Sequence, residues 1–170
     1  QPRRHPGKAA FEAALGDALQ AARPDWILCA GYMRILGEGF VQRFHGRLLN
    51  IHPSLLPKYR GLHTHRRALE AGDAEHGASV HFVVPELDAG AVIAQARVPV
   101  LPHDDEATLA ARVLAVEHPL LVQVLQLAAH GRLGERDGTP LLDGQALFTP
   151  WRLDCAPAGP RLVPGNPHPH

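Results

Sequence analysis

Asn50 and His52, an amide and an imidazole two residues apart, open the run Asn-Ile-His-Pro-Ser-Leu-Leu-Pro at 50–57. Side chains alternate along an extended chain, so in a strand the two lie on one side. There an Asn N–H can donate to an oxygen that is gaining negative charge, while the imidazole moves protons. The same pair also suits a plainer role, an Asn that stabilises a turn and a His packed at a strand end. Asp88 stands in Glu-Leu-Asp-Ala-Gly at 86–90. A carboxylate beside His52 would orient the ring and stabilise its protonated form; a turn Asp bonded to its own backbone is the alternative. His63, His65, His76 and His81 belong to an unusually large set of 12 histidines, and His-x-His at 63–65 presents two imidazoles together. No Cys, His-Glu-x-x-His or carboxylate cluster completes a ligand set, so no metal site is expected. Cys29 lies inside an apolar run and reads as core rather than nucleophile. The glycine patterns of dinucleotide and P-loop phosphate sites do not occur, nor does a Gly-x-Ser-x-Gly elbow around Ser54.

Such residues act only if secondary structure brings them together. Phe11, Leu15 and Leu19 recur every four residues and predict a helix over 7–22, stopped by Pro24. The continuous apolar run 26–30 predicts a strand buried on both faces. A short helix at 40–44, a strand at 47–51 and a Pro-rich loop at 53–62 follow, then a helix over 64–71. Residues 78–84, rich in β-branched and aromatic types, form the strongest strand candidate. A polar turn at 85–90 leads to another strand at 91–98. Asp104 or Asp105 caps a long helix reaching about residue 130, with Leu109, Val113, Val116, Leu120 and Val124 as its apolar stripe and a kink at Pro119. Asp137-Gly138 marks a turn between short strands near Leu133 and Leu141. The Pro-rich segment 149–170 reads as a disordered tail, which leaves 1–148 as the folded domain. Alternating helices and short apolar strands imply an α/β fold, a mainly parallel sheet with flanking helices. Ligands bind such sheets outside the carboxyl ends of strands, here just after Ala30, Ile51 and Val84.

The 170 residues are 45% apolar and 20% charged, ordinary for one globular domain. Lys and Arg (17) balance Asp and Glu (17), which disfavours a basic nucleic-acid or membrane surface. No apolar run in the sequence approaches the ~20 residues of a membrane span, and no signal peptide is visible. A cytoplasmic protein with small-molecule substrates is expected.

Taken in order, the runs AGYMRIL, GRLLNIHPSLLPKYRGLHTH, ASVHFV and ELDAG, with Glu117-His118 on the long helix, resemble the folate-dependent formyltransferases over about residues 24–145. The GLHTH segment is similar to the members that formylate the amine of 5′-phosphoribosylglycinamide in purine synthesis. The resemblance implies a formyltransferase (Rossmann-like) fold and 10-formyltetrahydrofolate as the formyl donor. It implies Asn50, His52 and Asp88 as catalytic residues. Lys8, Met33, Arg34, Ile35, Leu36 and Asn50 are implied at the folate, and Glu117 at the ribonucleotide. Another transferase or hydrolase of the same donor, or a non-catalytic fragment, shares most of these motifs. The family begins with a strand and a Gly-rich phosphate-binding loop that do not precede Gln1. The resemblance therefore implies that 1–148 lacks the family's N-terminal βα units.

Overall fold

The computed structural model describes residues 7–31 and 35–165. Helix α1 (Lys8–Ala22) turns Leu15 and Leu19 onto a cluster formed by Phe40, Val41, Phe44 and Leu48, and ends at Arg23 in the left-handed region before Pro24. Phe40 and Val41 come from the short helix α2 (Glu38–Arg43). The main sheet begins with β1 (Ile27–Leu28), β2 (Leu48–His52), β3 (Glu75–Phe82) and β4 (Val92–Pro99), with α3 (Thr64–Glu70) between β2 and β3. Helix α4 (Glu106–Ala129) runs back across this sheet. Its Leu109, Val113, Leu120, Val124 and Ala128 pack in one core with Val80, Phe82, Ile93, Ala94 and Ala96. Asp105 caps α4: its side chain accepts from the Thr108 N–H, and the Thr108 hydroxyl accepts from the Asp105 N–H. The helix continues through Pro119 as one element. An 18-residue stretch of α4 has a mean hydropathy of 1.3, long and apolar enough to cross a membrane by length and composition only, and its buried stripe is core against the sheet.

Beyond α4, β5 (Leu133–Arg136), β6 (Thr139–Leu142) and β7 (Gln145–Ala146) make a small antiparallel sheet. Asp137 (φ 50°) and Gly138 (φ 78°) form the β5–β6 turn, both in the positive-φ geometry that tight hairpins require.

Three expectations change. The sheet is mixed: β1–β2 and β4–β8 (Trp151–Ala156) are parallel, while β2–β3, β3–β4 and β8–β9 (Gly159–Val163) are antiparallel. The turns at 83–91 and 157–158 join β3 to β4 and β8 to β9 directly, and a direct turn forces antiparallel pairing; β2 and β3 pair antiparallel across the longer connection that carries α3. The run 26–30 is not covered on both faces; β1 lies at the sheet edge and Leu28 is 37% exposed. The segment expected as a disordered tail instead supplies β8 (Trp151–Ala156) and β9 (Gly159–Val163), extending the six-stranded sheet in the order β1-β2-β3-β4-β8-β9. Its prolines suggested disorder, yet Trp151 and Leu153 alternate with exposed Arg152, which is a strand's signature. Pro160 is tolerated because β9 is the outer strand, where a missing N–H interrupts no ladder. The domain boundary drawn at 148 therefore cuts through one continuous sheet.

Candidate active site

β2 ends in Asn50, Ile51 and His52, and β3 lies antiparallel beside it with Asn50 opposite His81 and His52 opposite Ser79. The register of β3 on β4 shifts between Val80 and His81, an irregularity of the kind that re-aims side chains near sites. The turn from β3 to β4 folds back over this end of the sheet and carries Asp88 at φ 48°. Gly90 allows that fold: a Cβ there would lie 1.7 Å from the Phe82 carbonyl oxygen.

Asp88 Oδ2 lies 3.4 Å from His52 Nδ1, and the two side chains are 7% and 8% exposed. The same Oδ2 accepts the Gly61 N–H at 2.9 Å, which ties the β3–β4 turn to the loop after β2. On the other side of the ring, His52 Nε2 is 2.9 Å from the Tyr59 carbonyl oxygen. A ring protonated on both nitrogens thus finds an acceptor for each N–H. Asn50 reaches the pair through His81, whose Nε2 is 3.4 Å from Asn50 Nδ2 and 3.7 Å from Asp88 Oδ1. Burial pushes the His81 pKa down, against the opposing pull of the Phe82 carbonyl and the Asp88 charge.

The loop after β2 rests on a buried polar framework. Ser79 Oγ donates to the Ser54 carbonyl (2.7 Å) and accepts from the Leu56 N–H (3.0 Å) and Gln95 Nε2 (3.0 Å). Gln95 also donates to the Leu56 carbonyl, and Ser54 Oγ to the Lys58 carbonyl. Further out, Tyr59 Oη and Lys58 Nζ both donate to Asp73. The His65 and His76 rings meet at 3.1 Å. Among the described residues no group of three or more His, Cys, Asp or Glu is placed to hold a metal ion.

Of the other sequence candidates, Glu117 lies half-buried on α4; burial raises its carboxyl pKa, opposed by the charges of His118 and His52. Lys8 is exposed at the start of α1 and pairs with Glu12 at 3.7 Å; Glu12 in turn accepts the Gly37 N–H. Leu36 packs on the Phe40 cluster together with Val83, which leads into the Asp88 turn, while Ile35 is 57% exposed. Met33 and Arg34 lie outside the described residues. Two grooves, of about 370 and 740 Å³, open near the C-terminal end of α4 and are lined by none of Asn50, His52 or Asp88.

Sequence reasoning missed Ser79, His81 and Gln95 as parts of this site. Ser79 and His81 alternate within an otherwise apolar strand, and that polar period of two was the available signal.

Residues 2–125 match the family model described as formyl transferase, and the chain belongs to that family. It is 52% identical to the phosphoribosylglycinamide formyltransferase of Escherichia coli over 140 residues, which are 82% of this chain and 66% of that protein. The phosphoribosylglycinamide formyltransferase of Haemophilus influenzae is 51% identical over 134 residues, 79% of this chain and 63% of its own length. The chain thus spans just under two thirds of these curated relatives. Among solved structures, the phosphoribosylglycinamide formyltransferase of Coxiella burnetii in complex with CHES superposes with a TM-score of 0.81 at 48% identity, covering 85% of this chain and 68% of that one. With the site's geometry, these likenesses bear on function.

Proposed function

We propose that this protein transfers a formyl group from 10-formyltetrahydrofolate to the amine of 5′-phosphoribosylglycinamide. The observation that carries the reading is the buried His52–Asp88 pair at the end of β2, joined to Asn50 through His81. Its family membership and the names of its relatives favour this donor and this acceptor.

Formyl transfer to an amine builds negative charge on the formyl oxygen, and the donor supplies that activated carbonyl. Asn50 answers the charge with an amide N–H, and His52 with the N–H of Nε2, which must exchange the Tyr59 carbonyl oxygen for the substrate. As the new C–N bond forms, the attacking amine must lose a proton and the departing nitrogen must gain one; His52 is the group able to hold that proton between the two. Asp88 keeps the ring oriented through Nδ1, as a triad carboxylate does. Apolar Ile35 and Leu36, with Met33 and Arg34, form the segment assigned to the folate. An exposed Ile35 beside a half-buried Leu36 fits a wall that a flat heteroaromatic group would cover. Lys8 and Asn50 are further contacts to the donor in this reading, and Glu117 to the ribonucleotide.

The test is to incubate the protein with 10-formyltetrahydrofolate, with and without 5′-phosphoribosylglycinamide, and to follow the formylated amide and free formate. Acceptor-dependent product supports the proposal. Formate released without acceptor would identify a hydrolase instead.

A further inference from the structure

We infer that His81 is a positioning residue for the proposed transfer: as a neutral ring protonated on Nδ1, it fixes which way the Asn50 amide faces and keeps Asp88 for His52.

Hydrogen-bond logic assigns the tautomer. His81 Nδ1 is 2.8 Å from the Phe82 carbonyl oxygen, and a carbonyl can only accept, so Nδ1 carries a proton. The ring is 2% exposed, and burial opposes a second proton. Nε2 is then a bare lone pair. Its neighbour at 3.4 Å must be a donor, which makes that atom the Asn50 amide nitrogen rather than its oxygen. An Asn side chain otherwise has two orientations of nearly equal shape. His81 selects the one with Nδ2 inward, leaving the second N–H of that nitrogen for an oxyanion.

The same lone pair affects Asp88. His81 Nε2 lies 3.7 Å from Asp88 Oδ1 but has no hydrogen to offer it. The carboxylate therefore keeps its hydrogen bond from the Gly61 N–H and its ion-pair contact with His52, both on Oδ2. A proton on Nε2 would reverse both effects: it would draw Asp88 away from His52 and turn the Asn50 amide around. The β3 irregularity at Val80/His81 sets this ring between Asn50 and Asp88.

The inference rests on the formyl-transfer reading only in its kinetic arm, and a structural arm tests it separately. Imidazole ¹⁵N NMR of the protein near neutral pH is expected to show His81 protonated at Nδ1 and bare at Nε2. In Asn50→Ala the Nε2 resonance should move. A proton on Nε2, or an Nε2 resonance indifferent to Asn50→Ala, overturns the inference whatever reaction the protein performs. In the kinetic arm, His81→Phe removes the acceptor and should lower kcat about tenfold, with KM for both substrates within about twofold. His81→Gln returns an acceptor near the Nε2 position and should recover most of that loss. Wild-type kcat in a folded His81→Phe overturns the inference. If His81→Phe does not fold, the NMR arm decides. A wild type that transfers no formyl group would refute the proposed function and leave the NMR result standing.

Discussion

His52 lies between a backbone carbonyl and a carboxylate, Tyr59 O and Asp88, each within 3.4 Å of a ring nitrogen. His52→Ala removes the imidazole that meets both and should lower kcat by about 10² or more, the usual scale for losing acid–base catalysis. Steady-state kinetics with a matched thermal melt checks this, since the loss should exceed any change in folded fraction. Asp88→Asn keeps an acceptor for the Gly61 N–H and removes only the charge, so kcat should fall more than Tm. A collapsed Tm with intact specific activity would make Asp88 structural. At this scale the sequence was informative where chemistry is local: Asn50-x-His52 reads as a pair on any strand. Asp88 meets His52 only because a turn folds back, and no local pattern measures that. The link between Asn50 and Asp88 ran through His81, which in the sequence was one histidine among 12.

The site's precision comes from elements that are themselves pinned. Gly90→Ala would place a methyl group 1.7 Å from the Phe82 oxygen, so the backbone must shift. A destabilisation of about 3 kcal/mol is expected, with lower activity in the folded fraction, measured by chemical denaturation alongside kinetics. Ser79→Ala strands the buried Leu56 N–H and should cost about 2 kcal/mol while loosening the loop that carries Tyr59. The loop's outer contacts add a pH dependence. Burial lowers the His76 pKa to about 4, helped by the His65 charge, and burial lowers His65 as well. Below the ordinary histidine value the unfolded chain then binds more protons than the folded one, so stability falls as pH drops. The decline should begin near pH 6.5 and shrink in His76→Asn, as read from denaturation midpoints; His81, also held low by burial, adds to it, and at lower pH the depressed carboxyls of Asp73, Asp104, Asp105 and Asp143 continue the fall. Helices were legible here because Leu15/Leu19 and Leu109/Val113 repeat at helical spacing. Strand direction was not, because a buried apolar run looks alike whether its neighbour is parallel or antiparallel.

At the scale of the whole molecule, β8 and β9 enlarge the main sheet with a segment whose composition reads as a disordered tail. Composition misled there: prolines 150, 157, 160 and 164 outweighed the alternation of Trp151 and Leu153. Leu153 is 8% exposed within the main core, so Leu153→Ala should lower stability by about 2–3 kcal/mol, and denaturant titration checks it; an unchanged midpoint would mean that β8 adds nothing to that core. The pairing also has a temporal side. Ala94 meets Trp151 only after α4 and three small strands have been made, so the outer ladder of β4 closes late during synthesis. Until then a nascent chain presents the backbone groups of an open strand edge, the feature that most readily recruits a second chain. Crowded ribosomes and high expression temperatures should therefore penalise this protein through aggregation before the hairpin arrives, and slower translation should not relieve it unless a chaperone shields β4 in the interval.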